Sequence, residues 1–345
     1  MQRRVRLNKD SIIKIVGIVA AMLLFFSILL VITDRMKKKA TESSPSSTSM
    51  GTSFSDPYGE ENIDPVIFFA GKGYSRKKKI ESVLFLGIDS YGEAVEREGN
   101  SNNDQADVLM LVVIDHENKS YNVLQINRDT ITAIPMIGTA GDRLGTTLAQ
   151  IALSHTYGSG LNDSCEYTAE AVQTLLLDEK VDHYISLKLD SIKIINESVG
   201  GVEVTIPCDM TMLDPSMKEG SKIKLNSEQA EYFVRARKEL ENSTNISRMS
   251  RQETYLSAWK TLAKQKMNED VGFALNLIGD LGDYMITDMD LNALSELSGY
   301  LADYDYKGML KIEGENRQGE RFLEFYCNDA SLKQAVLDLF YDQVS

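Results

Sequence analysis

Two aspartates sit where an apolar run meets polar sequence. Asp89 follows the run 83–88 in Gly87-Ile88-Asp89-Ser90, and Asp107 opens the run 108–114 after the polar stretch 101–106. Carboxylates at the ends of buried strands stand at the sheet edge where open α/β folds place ligands. If the two strands are antiparallel neighbours, the end of one lies beside the start of the other. The carboxylates can then share a hard cation such as Mg²⁺, which favours carboxylate and phosphate oxygens. The plainer reading makes both of them strand-end turn residues, a common place for Asp.

Arginines supply the complementary chemistry. Arg128 lies in Asn127-Arg128-Asp129-Thr130, again just after an apolar run. Arg235, Arg237, Arg248 and Arg251 cluster in an otherwise acidic chain. Arg248 and Arg251 are three apart, so a helix would present them on one face. A guanidinium offers planar, paired donors that match phosphate oxygens. With Arg128, these residues can build a pocket for a diphosphate. They can equally pair with Glu239, Glu241 and Glu253 as ordinary surface ion pairs.

The elements that must hold these groups can be read from periodicity. Strands are expected at 80–88, 108–114, 121–126, 183–187, 202–206, 308–313 and 321–326. The nearly continuous apolar run at 108–114 marks a strand covered on both faces. Helices are expected at 148–157, 167–177, 189–199, 248–266, 270–281, 290–303 and 330–341. A further helix should start from an N-cap at Asn226 or Ser227 and run to about Val234. Strands and helices mixed without strict alternation imply an α/β (α+β) sandwich, a central mixed β-sheet flanked by helices. No break splits residues 80–345, which read as a single domain.

Ahead of that domain the chain changes character. Residues 1–11 form a basic tail, 12–32 an uncharged-cored apolar stretch, and 33–79 a linker rich in Ser and Thr. A bilayer-spanning helix needs roughly 20 apolar residues, which 12–32 supplies if Lys14 snorkels to the headgroups. A cleaved signal peptide fits less well. The run is long, and Thr33-Asp34-Arg35 follows it in place of a small-residue cleavage site. Basic residues flank both ends, so charge alone does not orient the helix.

Composition excludes several functions. A net charge of -14 over 345 residues argues against general binding to nucleic acid. The three cysteines, Cys165, Cys208 and Cys327, have neither zinc-site nor redox-pair spacing and read as free thiols. No nucleophile elbow, Walker loop or dinucleotide fingerprint occurs. His155 and His183 read as structural residues.

Taken in order, these residues resemble the LytR-CpsA-Psr family. The landmarks are Val83-Leu84-Phe85-Leu86-Gly87-Ile88-Asp89, Ala106-Asp107-Val108-Leu109-Met110-Leu111, Gln125-Ile126-Asn127-Arg128-Asp129 and Val199-Gly200-Gly201-Val202-Glu203-Val204. Two more follow, Leu225-Asn226-Ser227-Glu228-Gln229-Ala230 running into Tyr232-Phe233-Val234-Arg235-Ala236-Arg237, and Ser247-Arg248-Met249-Ser250-Arg251-Gln252. The resemblance implies a bacterial, single-pass membrane protein with its C-terminal domain extracellular. It implies a phosphotransferase that moves an anionic glycopolymer, of the teichoic acid or capsular type, from a polyprenyl-pyrophosphate carrier to peptidoglycan. By position, Asp89 and Asp107 would hold Mg²⁺. Arg128, Arg235, Arg248, Arg251 and Gln252 would line the pyrophosphate pocket, with Arg237 supporting it. Asp129 would orient Arg128 or help activate the acceptor hydroxyl.

The chain departs from the family pattern at four places. Gln105-Ala106-Asp107 stands for the usual Arg-Ser-Asp, and Tyr91 follows Ser90 where an arginine is common. Gln150-Ile151-Ala152 replaces a Lys-(Ile/Leu)-Asn element, and Asn127 replaces a proline. These lost cations leave a second expectation open, a noncatalytic polyprenyl-pyrophosphate-binding sensor or assembly factor of the cell envelope. Intracellular transcription regulation finds no support, since the acidic domain shows no helix-turn-helix pattern.

Overall fold

The computed structural model describes residues 66–236, 245–270, 273–320 and 322–344. The expected tail 1–11, the membrane helix 12–32, most of the linker and Arg237 lie outside the described residues, as does the side chain of Arg248. Among the described residues no helix is long and apolar enough to cross a membrane.

In chain order the first elements are strands: β1 (Ile67–Phe69), β2 (Lys72–Arg76), β3 (Ile80–Ile88), β4 (Ala106–Asp115), β5 (Ser120–Ile126), β6 (Ile131–Ile137) and β7 (Arg143–Gln150). A 3-10 helix (Ile151–Thr156) leads to α1 (Asn162–Leu175), β8 (His183–Lys188), α2 (Asp190–Ser198), β9 (Glu203–Thr205) and β10 (Lys222–Lys224). Then come α3 (Ser227–Arg235), α4 (Asn245–Glu269), α5 (Phe273–Leu281), β11 (Met285–Thr287) and α6 (Leu291–Asp303). The chain closes with β12 (Asp305–Lys311), β13 (Gly314–Gln318), β14 (Leu323–Cys327), α7 (Asp329–Phe340) and β15 (Tyr341–Val344).

The central sheet has the order β11-β8-β3-β4-β5-β12. β3 is antiparallel to β4 and parallel to β8, and β5 is antiparallel to β4 and parallel to β12. One edge of the sheet therefore collects the C-terminal ends of β3, β8, β5 and β12 with the start of β4. Asp89, Asp107 and Arg128 belong to that edge.

Alternation along β3 and β4 buries both faces. Val83, Phe85, Met110 and Val112 point into one layer with Phe233 of α3 and Tyr255 and Trp259 of α4. Leu84, Leu86, Leu109 and Leu111 point into the other, with Val172 of α1 and Val336 and Phe340 of α7. The expected sandwich, a mixed sheet between helices, is thus the observed one. Each fully buried Leu, Val or Phe contributes roughly 1.5–3 kcal/mol relative to exposure, so the sheet is a rigid platform for its edge.

Two expectations are corrected. The linker drawn at 33–79 overlaps β1 and β2, which pair with each other and, through β2, with β15 at the far end of the chain. Local sequence around 67–76 carries no hydrophobic period, because these strands are ordered by a partner distant in sequence. The helix expected at 148–157 is instead the end of β7 followed by the 3-10 helix. A short apolar run does not distinguish helix from strand by period alone, and here pairing with β6 decides. The three cysteines are free, with Cys165 buried.

Candidate active site

The start of β4 is bulged. Gly87 pairs with Val108 and Ile88 with Ala106, so Asp107 is the extra residue. A bulge re-aims a side chain at a strand end. The Asp89 amide donates to the Gln105 carbonyl at 2.9 Å, which holds the end of β3 against the start of β4. Asp89 and Asp107 thus stand on adjoining strand ends, as the sequence suggested.

Each aspartate is paired with an arginine from another element. Arg235 reaches Asp89 Oδ1 through Nη2 at 2.6 Å. Arg235 ends α3, whose start is fixed by a capping box between Asn226 and Gln229 and whose inner face buries Ala230 and Phe233. The box and the burial fix where the last turn points, and each cap is worth about 1 kcal/mol. Arg235 Nη1 also donates to Glu231 Oε1 and to the Tyr91 hydroxyl, both at 2.6 Å. Burial opposes its charge, but the hydrogen bond to Glu231 and the charge of Asp89 outweigh this and hold its pKa above the ordinary value.

Arg128 occupies the tight turn after β5. Its Nη1 donates to Asp107 Oδ1 and its Nη2 to Gln105 Oε1 at 2.7 Å, while Nε lies 3.5 Å from Asp129. Asp129 is held in turn by Gln150, whose Nε2 donates to Asp129 Oδ1 at 3.0 Å and to the Leu323 carbonyl at 2.7 Å. Backbone bonds from Phe325 to Asp129 and from Ala152 to Arg128 clamp the turn on both sides.

Arg251 and Gln252 stand behind this site. Arg251 is only 2% exposed. Its Nε donates to the Phe233 carbonyl at 2.8 Å, its Nη2 donates to the Ala236 carbonyl, and Gln252 Nε2 donates to the Val234 carbonyl at 3.1 Å. These are carbonyls that the end of a helix leaves without partners. Burial pulls the Arg251 pKa below the ordinary arginine value. Both residues therefore fasten the end of α3, and with it Arg235.

The two aspartates fit a hard cation by their chemistry. Mg²⁺ is commonly held by one or two carboxylates and completes its shell with water and phosphate oxygens. Among the described residues no group of three or more His, Cys, Asp or Glu forms a closed ligand cage.

The profile of the LytR_cpsA_psr family matches residues 33–336. The chain belongs to this family. It is 30% identical over 188 residues to a protein of Bacillus subtilis named polyisoprenyl-teichoic acid–peptidoglycan teichoic acid transferase TagV, covering 53% of this chain and 43% of that one. It is 25% identical over 235 residues to a TagU of the same named activity from Halalkalibacterium halodurans, covering 68% of this chain and 69% of that one. The chain spans about half the length of the curated relatives it matches first, 43% of this TagV and 48% of a TagU of Bacillus cereus. The crystal structure of B. subtilis TagV superposes with a TM-score of 0.53 at 23% identity, over 76% of this chain and 96% of that one, which shows a shared fold.

Measured against the LytR-CpsA-Psr landmarks, the departures fall inside the site. Gln105 and Gln150 both bond to its charged members, to Arg128 and Asp129 respectively. Tyr91 donates its hydroxyl to Glu231 and accepts from Arg235. Glu231 and Lys193 were not among the residues singled out from the sequence. Glu231 is one helical turn before Arg235, and that i, i+4 spacing of opposite charges was the available signal. Nothing local marked Lys193, because α2 meets α3 only in the folded chain. Below the site, Asp104 is buried against Arg97 at 2.9 Å and Lys188 at 3.5 Å.

Proposed function

We propose that this chain is a membrane-anchored LytR-CpsA-Psr phosphotransferase of the bacterial cell wall. It transfers an anionic glycopolymer from a polyprenyl-pyrophosphate carrier to peptidoglycan and leaves a phosphodiester link. The carrying observation is that Arg128–Asp107 and Arg235–Asp89 lie together on one sheet edge. Residues 12–32 would hold the protein in the cell membrane, with the C-terminal domain extracellular. Anchoring keeps a lipid-borne substrate at high effective concentration.

The chemistry follows from the residues present. An acceptor sugar hydroxyl attacks the phosphorus bonded to the polymer, and the bridging P–O bond breaks. Polyprenyl phosphate leaves with the bridging oxygen. Arg128 and Arg235 present paired donors to the oxygens on which charge accumulates. Asp129, held by Gln150 and beside Arg128, would orient that guanidinium or take the hydroxyl proton. The pyrophosphate bond is already activated, so no nucleotide is needed outside the cell.

Mg²⁺ held by Asp89 and Asp107 would supply charge neutralisation. Asp89 and Asp107 are each already paired with an arginine, Arg235 and Arg128 respectively.

The full chain in nanodiscs, titrated with farnesyl pyrophosphate in MgCl₂, tests the pocket. The expected result is saturable binding that Arg128→Ala weakens at least about tenfold, one charge-assisted contact being worth about that much. Binding with no transfer to any wall acceptor would favour the noncatalytic sensor, a reading motivated by Gln105 in place of a cation. No binding with or without Mg²⁺ would remove both.

A further inference from the structure

We propose that Lys193 is an anion-binding residue of this site and that Tyr91 positions it together with Arg235. The inference rests on the reading of the site as a pyrophosphate pocket and adds two residues to it. Lys193 lies on α2, an element that carries none of the residues implied by the family pattern.

The geometry is specific. Neighbouring Ile192, Ile194 and Ile195 pack against the core, which fixes the face Lys193 presents. Its Nζ lies 5.5 Å from the centre of the Tyr91 ring, and the Arg235 guanidinium carbon lies 5.5 Å from the same centre. One aromatic ring therefore attracts both cations through its π face. The Tyr91 hydroxyl bonds Arg235 and Glu231, and burial and then the Glu231 bond push its pKa up to about 12. The phenol stays neutral and keeps its proton over the physiological range.

Lys193 is also incompletely satisfied. Its Nζ is 3.6 Å from Glu231, an attraction longer than a direct hydrogen bond. Among the described residues no hydrogen bond ends on its ammonium group. Glu231, whose side chain is 8% exposed, already accepts from Arg235 and Tyr91. Among the described residues, Lys193, at 36% side-chain exposure, thus keeps donors free beside Arg235. A phosphate oxygen bound by Arg235 is the natural acceptor for them, and lysine serves phosphate as a mobile point charge.

The test uses the full chain in nanodiscs, with inorganic pyrophosphate in MgCl₂ as the probe, followed by calorimetry. Lys193→Gln is expected to weaken binding about tenfold and to flatten its salt dependence, while Lys193→Arg stays within about threefold of the wild type. Tyr91→Phe, which keeps the ring and loses the hydroxyl's bonds to Glu231 and Arg235, is expected to weaken binding by about threefold to fivefold. Melting temperatures should hold in all three, since a half-exposed ion pair adds little stability. Wild-type binding that Arg128→Ala abolishes but Lys193→Gln leaves unchanged would overturn this inference alone. A wild type that binds no pyrophosphate would overturn the pocket as well.

Discussion

Arg235 Nη2 lies 2.6 Å from Asp89 Oδ1, joining the end of α3 to the end of β3. A second pair, Arg128 with Asp107, repeats the arrangement one strand away. The groups that would bind a phosphate are engaged with the groups that would bind a metal. Taking up one ligand therefore frees the partners of the other, and the two should bind interdependently.

That linkage can be measured. Pyrophosphate affinity of the wild type should rise at least about tenfold when MgCl₂ replaces EDTA, the size expected for one charge-assisted contact released. In Asp107→Asn, Arg128 loses the nearer of its two carboxylates and keeps only Asp129. Metal-free affinity should rise and the response to Mg²⁺ should shrink. Equal wild-type affinity in MgCl₂ and EDTA would remove the coupling.

Arg251 is expected to act through stability. Its donors satisfy carbonyls at the end of α3, and hydrogen bonds from a charged group are worth about 1.5–3 kcal/mol each. Arg251→Lys cannot reproduce the fork and should lower unfolding free energy by about 2–3 kcal/mol in urea titrations. Arg235→Lys should leave stability nearly intact and weaken pyrophosphate binding. The opposite pattern would make Arg251 the ligand.

Asp129→Asn keeps an oxygen for Gln150 to bond and removes the negative charge. Turnover should fall about 10²–10⁴-fold, the usual range for a lost general base, with substrate binding changed only a few-fold. A parallel loss of binding would mean that Asp129 acts only by holding Arg128.

Stability should also depend on pH through His155, which is fully buried with Nδ1 2.8 Å from the Asp104 carbonyl. Burial lowers its pKa in the folded chain. Between that lowered value and the unfolded value of about 6.5, only the unfolded chain takes up the proton. Stability is therefore complete above about pH 7 and falls as pH drops below about 6.5, by at most about 1.4 kcal/mol per unit. Urea midpoints at pH 7.5 and 5.5 check this, and His155→Gln should remove the difference. A midpoint unchanged or higher at pH 5.5 would contradict it.

Much of the central sheet was legible because β3, β4 and β5 are long apolar runs whose burial on both faces leaves a plain signal. Asp89, Asp107 and Arg128 were legible for the same reason, as polar residues at the ends of those runs. The hairpin of β6 and β7 was not, because Pro135, Gly138 and Gly145 interrupt any period and pairing alone defines it. Arg251 was visible as an arginine but not as a buried one, since its carbonyl partners belong to α3. Lys193 and Tyr91 meet because the loop after β3 is bonded to the start of α2, Gly92 to Asp190 and Leu189 to Ser90, which no local pattern records.

The most direct measurement is transfer itself. Purified full-length protein in nanodiscs would be given a labelled teichoic-acid-type polymer on polyprenyl pyrophosphate, peptidoglycan and MgCl₂. Label in peptidoglycan, equimolar release of polyprenyl phosphate, and a drop of about 10²–10³-fold in Arg128→Ala are expected. Label transfer that is indifferent to Arg128→Ala, or no release of polyprenyl phosphate by the wild type, would contradict this reading.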